Sequence, residues 1–176
     1  MIEFPWPHIV IDNLYDAELF TDAKSEIIKH VLAQRVSAPR QRYSTSDSDF
    51  TRIFPKTNKC LNSVNYMKFL DKFQNKRHYD SIKIFHEISF ISNGYEYPIH
   101  YENEAKILSI VTYVAPIIGH GTLIYDENKN FIKEVEWKPN RTLFFAGITD
   151  KTWHNYKVDS GMPRITINTF LTNGEL

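Results

Sequence analysis

The sequence predicts an α+β chain whose β part closes into a sandwich or jelly roll. Three observations predict it. Apolar residues recur at helical spacing early in the chain, the pattern changes to short strands from residue 81 onward, and the turns between those strands are brief. Two facing sheets of this kind bring together strands that are distant in sequence.

The elements follow in order. His8-Ile9-Val10-Ile11-Asp12 reads as a first strand after the proline-bearing entry at Pro5 and Pro7. Asp16 suits the N-cap of a helix running to about Gln34, with Leu19, Ala23, Ile27 and Val31 on one apolar face. Residues 37–59 are polar and hold Pro39 and Pro55, which predicts a long loop. A second helix is expected from about Asn62 to Gln74, carrying Val64, Met67, Phe69, Leu70 and Phe73. Strands are then expected over 82–91, 107–114, 122–125, 131–137, 141–145, 153–158 and 164–171. Asn93-Gly94, Gly119-His120-Gly121 and Asp126-Glu127-Asn128 supply turns. The chain reads as one domain over 1–176, with a helical N-terminal part to about residue 80 and a β core over about 81–171.

Composition bounds the function. A chain of 176 residues is large enough for a substantial core. Lys and Arg total 21 and so do Asp and Glu, which argues against a general attraction to nucleic acid or an anionic membrane. No apolar run approaches the ~18 residues of a membrane-spanning helix. The opening MIEFPWPHIVID has neither the basic n-region nor the apolar stretch of a signal peptide. Cys60 is the single cysteine and cannot form an internal disulfide, so a reducing, cytoplasmic setting is expected.

The chemistry concentrates late in the chain. In an extended segment, residues i and i+2 share a face, so His100 and Glu102 can reach one ion while Tyr101 points away. His154 would be the third ligand, because two imidazoles and a carboxylate form the set that leaves positions open on non-haem Fe(II). Arg164, ten residues further on, opens a strand in which Arg164, Thr166 and Asn168 alternate with Ile165 and Ile167. An inward polar row is costly unless it has partners, so it predicts a cavity with a polar ligand. Arg164 as a planar fork and Thr166 as a hydroxyl donor could share one carboxylate, which suits a dicarboxylate co-substrate such as 2-oxoglutarate.

Other residues are weaker candidates. Tyr97 and Tyr113 could each reach a co-substrate oxygen, and packing is the alternative role. Lys106 and Arg141 are rival cations and are expected to face solvent, as is His120 in its glycine turn. Arg40, Arg42, Arg52, Lys56 and Lys59 surround Phe50 and Phe54 in the long loop, and read as surface or as a cover over a substrate. His8, His30, His78 and His86 show no metal-ligand spacing.

Residues 81–171 resemble the catalytic core of the Fe(II)/2-oxoglutarate-dependent oxygenases, in particular the prolyl-4-hydroxylase-like branch. The resemblance includes the opening Phe4-Pro5-Trp6-Pro7-His8-Ile9-Val10-Ile11-Asp12-Asn13, the strand Lys106–Val114, the turn Gly119-His120-Gly121 and the approach Lys138-Pro139-Asn140-Arg141-Thr142-Leu143-Phe144-Phe145. It implies a double-stranded β-helix with the N-terminal helices packed on one sheet. It also implies His100, Glu102 and His154 as iron ligands, with Arg164 and Thr166 binding the far carboxylate of 2-oxoglutarate. The expected reaction is hydroxylation of a C–H bond using O2, with release of succinate and CO2. A peptidyl proline is suggested by the branch alone, and a free amino acid or other small molecule fits as well. Glu102 departs from the commoner aspartate by one methylene, so it must fold back to keep the geometry. Two alternatives stay open: a cupin-like metal enzyme without 2-oxoglutarate, and a catalytically inactive jelly-roll binding module.

Overall fold

One large antiparallel sheet with two unlike faces organises the molecule. The computed structural model describes residues 1–33, 39–73, 81–103, 105–159 and 161–173. In chain order the elements are β1 (His8–Asp12), α1 (Ala17–Ala33), β2 (Arg40–Ser44), α2 (Phe50–Ile53), α3 (Pro55–Leu61), α4 (Met67–Leu70), β3 (Lys83–Ile91), β4 (Lys106–Ala115), β5 (Thr122–Tyr125), β6 (Phe131–Val135), β7 (Arg141–Ala146), β8 (His154–Asn155) and β9 (Arg164–Thr172). The large sheet runs β1-β7-β4-β9-β3-β2 and the small sheet β6-β5-β8, all strands pairing antiparallel. The architecture is the expected α+β jelly roll.

The period-two alternation of the strands sorts residues between two cores. On one face of the large sheet Ile88, Phe90, Val114, Ile165 and Ile167 pack against Phe20, Ala23, Ile27 and Val31 of α1. Leu108, Ile110, Phe144, Ala146 and Leu171 on the same face meet Tyr66, Phe69 and Phe73. The helices thus cover a single face. On the other face Tyr113, Leu143 and Phe145 pack against Ile124 and Val135 of the small sheet, with Trp6 and Trp137. That space between the sheets also holds the polar row of β9.

Asp16 caps α1 as expected, its carboxylate accepting from the backbone N–H of Glu18 at 2.9 Å and of Leu19 at 3.2 Å. The buried stripe uses Phe20 rather than Leu19, which is only partly covered. The predicted end at Gln34 lies outside the described residues.

The stretch expected as a long loop is the main correction. Within 37–59, β2 pairs along β3 from Arg40↔Ile91 to Ser44↔Glu87, and α2 and α3 follow. Pro55 begins a helix rather than a loop, as proline does at a first helical position. Residues 37 and 38 lie outside the described residues. The helix expected over 62–74 is shorter: a turn follows α3, α4 spans four residues, and a 3-10 turn covers Asp71–Phe73. Its expected end at Gln74 again lies outside the described residues. The strand expected over 131–137 stops at Val135, and that over 153–158 shrinks to His154–Asn155 with an isolated Glu96↔Lys157 bridge.

Gly121 is required where it stands. A Cβ there would collide with the carbonyl oxygen of Val135, so the β5–β6 pair could not close. No helix among the described residues is long and apolar enough to cross a membrane.

Candidate metal centre

Backbone pairing, not local sequence, brings the two histidines together. His100 and His154 form an isolated antiparallel bridge, with N–H to carbonyl distances of 3.0 and 2.9 Å in the two directions. Their rings lie 4.3 Å apart by centroid. Each ring is oriented by its own chain: His100 Nδ1 bonds the Pro98 carbonyl at 3.0 Å and His154 Nδ1 the Thr152 carbonyl at 2.8 Å. With both Nδ1 protons donated to backbone, both Nε2 lone pairs are free to ligate.

Glu102 completes the cluster. One ligand atom from each of His100, Glu102 and His154 lies within 4.8 Å of the others, and Glu102 Oε1 is 3.9 Å from His154 Nε2. Burial and the neighbouring His154 push His100 down to about 4, and burial also lowers His154, so both rings are neutral near pH 7. Burial alone would raise the Glu102 carboxyl. The Lys106 ammonium and the two imidazoles more than offset this and hold it below the usual carboxylate range. Neutral imidazoles and an ionised carboxylate are the protonation states that a divalent cation needs.

Lys106 departs from its expected place. Its Nζ lies 2.6 Å from Glu102 Oε2, and its side chain is only 20% exposed. Strict alternation would put Lys106 on the helix-covered face with Leu108 and Ile110. A register shift between Lys106 and Leu108 breaks the alternation and turns Lys106 into the cavity, where its Nζ also lies 3.9 Å from the Phe170 ring centroid. The close approach of Gly147 leaves room here, since a Cβ at 147 would strike the Lys106 carbonyl and come within 3.5 Å of Glu102 Cβ. Arg141, the other rival cation, lies elsewhere: it binds Asp12 at 2.6 and 3.1 Å and Glu136 at 3.2 Å. His120 is held by Asp159 at 2.7 Å rather than standing free.

The cluster opens on a cavity of about 110 Å³ between the sheets, lined also by Arg40, Tyr97, Thr122, Tyr156, Arg164 and Asn168. It is smaller than the ~300–1,000 Å³ of sites that enclose drug-sized ligands. Arg164 is 4% exposed and Thr166 fully buried. Arg164 Nε and Thr166 Oγ1 have no hydrogen-bond partner. A buried guanidinium and a buried hydroxyl left so are costly unless a ligand satisfies both, and a carboxylate fits that pair. Burial lowers the Arg164 pKa from its ordinary value, while the Tyr113 and Tyr156 phenols act against the shift.

The two tyrosine candidates part company. Tyr113 is sealed in the wall: its hydroxyl donates to the Val135 carbonyl at 3.3 Å, accepts from Thr122 N–H at 3.0 Å and bonds Thr122 Oγ1 at 3.0 Å. Its ring stacks on Trp137. Tyr97 lines the cavity, edge-on to His100 at 4.6 Å and stacked on Tyr156 at 5.2 Å. Arg40, expected on a loop at the surface or over a substrate, and Tyr156 also line the cavity. The Arg40 guanidinium lies 4.6 Å from the Tyr97 centroid, and that of Arg164 4.4 Å from the Tyr156 centroid. Tyr156 keeps a buried hydroxyl without a partner, and burial pushes its pKa up to about 12. Arg40 carried no local signal, because only the long-range β2–β3 pairing aims it. Lys106 did carry one, since it stands four residues from a candidate carboxylate ligand.

Fold and donor set together define a class of protein, a double-stranded β-helix with two histidines and a carboxylate gathered between its sheets. Among solved structures, the fold is that of the prolyl hydroxylases. A Trichoplax adhaerens prolyl hydroxylase, solved with a peptide fragment of the hypoxia inducible factor oxygen degradation domain, matches at TM-score 0.69 and 12% identity over 94% of this chain and 83% of its own. A Phytophthora capsici prolyl 4-hydroxylase matches at TM-score 0.71 and 14% identity over 94% of this chain and 58% of its own. A viral collagen prolyl hydroxylase from Paramecium Bursaria Chlorella virus-1, solved with 2-oxoglutarate, matches at TM-score 0.58 and 16% identity over 93% and 94%. No protein-family model matches the sequence, and no curated protein does.

Proposed function

We propose that the chain is a single-domain Fe(II)- and 2-oxoglutarate-dependent dioxygenase that hydroxylates a peptide or small-molecule substrate. The observation that carries this reading is one cavity lined by a two-histidine, one-carboxylate cluster and by Arg164, whose Nε, like the buried Thr166 hydroxyl two residues on, has no hydrogen-bond partner. His100 and His154 would hold the metal through Nε2 and Glu102 through Oε1, with Lys106 retaining Oε2. Arg164 and Thr166 would take the far carboxylate of 2-oxoglutarate, the guanidinium as a charged fork and the hydroxyl as a donor. When bound, iron and 2-oxoglutarate supply the oxidising chemistry, coupling oxidative decarboxylation to oxidation of a substrate C–H bond.

The chain's own residues do the rest. The backbone bridge between His100 and His154 fixes the separation of the two ligands. Tyr97 and Phe145 pack edge-on against His100 and His154, at 4.6 and 4.8 Å, which limits ring rotation and keeps water from the ligands. The Tyr113–Thr122 bonds hold β5 against β4 and close the floor behind Arg164. Peptide binding by the Trichoplax protein supports a peptide substrate, and the size of the cavity suits entry of one side chain or a small acid.

The Lys106–Glu102 pair favours a second reading, a jelly-roll binding module in which the lysine replaces the charge of a metal. Anaerobic titration of the Fe(II)-supplemented protein with 2-oxoglutarate separates the two. The dioxygenase develops a visible metal-to-ligand charge-transfer band that saturates with 2-oxoglutarate. A protein that binds neither Fe(II) nor 2-oxoglutarate would be the binding module.

A further inference from the structure

We propose that Arg40 binds a carboxylate of the primary substrate, so that this chain selects a substrate bearing a free carboxylate. The inference rests on the dioxygenase reading above and adds the substrate class to it.

The charges of the cavity lead there. Four cations line it: Arg40, Arg42, Lys106 and Arg164. Arg42 is paired with Glu87 at 3.3 Å and Lys106 with Glu102 at 2.6 Å. Among the described residues, no carboxylate stands within ion-pair distance of Arg40 or Arg164. A dicarboxylate co-substrate has one carboxylate for the metal and one for Arg164 with Thr166. Arg40 is then left over, a cation in a small cavity with no anion assigned to it.

Its geometry fits a substrate contact. Arg40 opens β2 at the register Arg40↔Ile91, on the edge of the large sheet. Its guanidinium lies over the Tyr97 ring, and that ring meets His100 edge-on. The cation therefore sits one aromatic ring away from a candidate metal ligand, close enough for a small substrate to span both. Arg40 Nε is buried and has no hydrogen-bond partner. A carboxylate would accept from this Nε–H and a neighbouring guanidinium N–H in parallel, while the cation stays over the Tyr97 ring. The unpartnered Tyr156 hydroxyl, on the ring stacked against Tyr97, offers a further donor.

The carboxylate has two possible sources, a free amino acid or the C-terminus of a peptide. Matched pairs of probes distinguish them: L-proline against L-prolinamide, and glycyl-proline peptides ending in a carboxylate against the same peptides ending in an amide. Each is titrated into the full chain loaded with Mn(II) and 2-oxoglutarate under argon, with binding followed by calorimetry. Succinate formation is then measured with Fe(II) in air. The carboxylate member of at least one pair is expected to bind at least about tenfold more tightly than its amide, the scale of a charged hydrogen bond. Arg40→Gln should remove that preference and raise KM more than it lowers kcat. Arg40→Lys should restore part of it, since a point charge replaces a fork. The 2-oxoglutarate charge-transfer titration should be unchanged in both variants. If no carboxylate binds the loaded wild-type protein better than its amide, the inference is overturned. It is equally overturned if Arg40→Gln weakens 2-oxoglutarate and leaves the substrate preference intact, because Arg40 would then serve the co-substrate. Wild-type protein that takes up no 2-oxoglutarate sinks the proposed function itself, whereas a loaded protein indifferent to carboxylates sinks this inference alone.

Discussion

Lys106 Nζ holds Glu102 Oε2 at 2.6 Å and leaves Oε1 facing His154 at 3.9 Å. One carboxylate oxygen is thereby committed to the lysine, and the other is presented to the candidate metal position. Lys106→Met should destabilise the metal-free protein by about 2–3 kcal/mol. That is below the ~3–5 kcal/mol for breaking a fully buried pair, because Lys106 keeps some exposure. Lys106→Arg should lose less. Loading with Mn(II) should shrink the Lys106→Met deficit, since the cation then balances the carboxylate. Urea unfolding with and without Mn(II) measures both, and an equal deficit in the two states would detach Lys106 from the metal position.

Replacing Glu102 tests the carboxylate directly. Glu102→Asp should retain metal binding and some activity, though the shorter arm should not reach Lys106 and the metal position together. Glu102→Ala should weaken Mn(II) binding by more than the ~10–100-fold that loss of an outer-shell partner costs, and should lose most substrate oxidation. Calorimetric Mn(II) titration reads the affinity. Unchanged binding by Glu102→Ala would remove Glu102 from the ligand set.

Arg164→Ala should weaken 2-oxoglutarate by roughly 100-fold or more. An unpaired buried charge costs on the order of 3–5 kcal/mol, and ~1.4 kcal/mol is tenfold. Arg164→Lys should be a partial rescue, and Thr166→Val should cost less, as one neutral hydrogen bond contributes ~0.5–1.5 kcal/mol. Mn(II) affinity should hardly change. Co-substrate binding that survives Arg164→Ala would move the assignment to another cation of the cavity, Lys106 or Arg40.

His86 gives a pH dependence away from the metal ligands. It is buried on the helix-covered face, bonded to Thr169 Oγ1 at 2.8 Å, and burial lowers its pKa to about 4. Below its ordinary pKa of ~6.5 the unfolded chain takes up a proton that the folded chain refuses. The neutral ring's contribution to stability is therefore intact above about pH 6.5 and is lost as pH falls toward 4. At pH 5 the loss should be on the order of 2 kcal/mol. Urea titrations at pH 7.5 and 5.0 should show this, and His86→Gln should narrow the difference between them.

The sheet core was legible because its code is local. In β9, Ile165 and Ile167 face the helices while Arg164 and Asn168 face the cavity, as period-two alternation requires. Asp16 announced the start of α1 by its own chemistry. Where the code was not local, the reading failed. Arg40–Ser44 has no apolar alternation, and it becomes a strand because β3 offers an edge to pair with.

By itself the sequence determined which residue types could form a metal and carboxylate site, and the order of strands that could carry them. The tertiary structure alone decided what meets what. The His100–His154 bridge joins segments that share no local pattern. The shift in β4 turned Lys106 from the face its parity assigned it to the Glu102 carboxylate. The edge pairing of β2 carried Arg40 from an expected loop to the cavity wall. Parity within a strand is set by covalent geometry and can be read residue by residue. Register between strands is set by packing across the whole sheet, and it emerges only when the sheet closes.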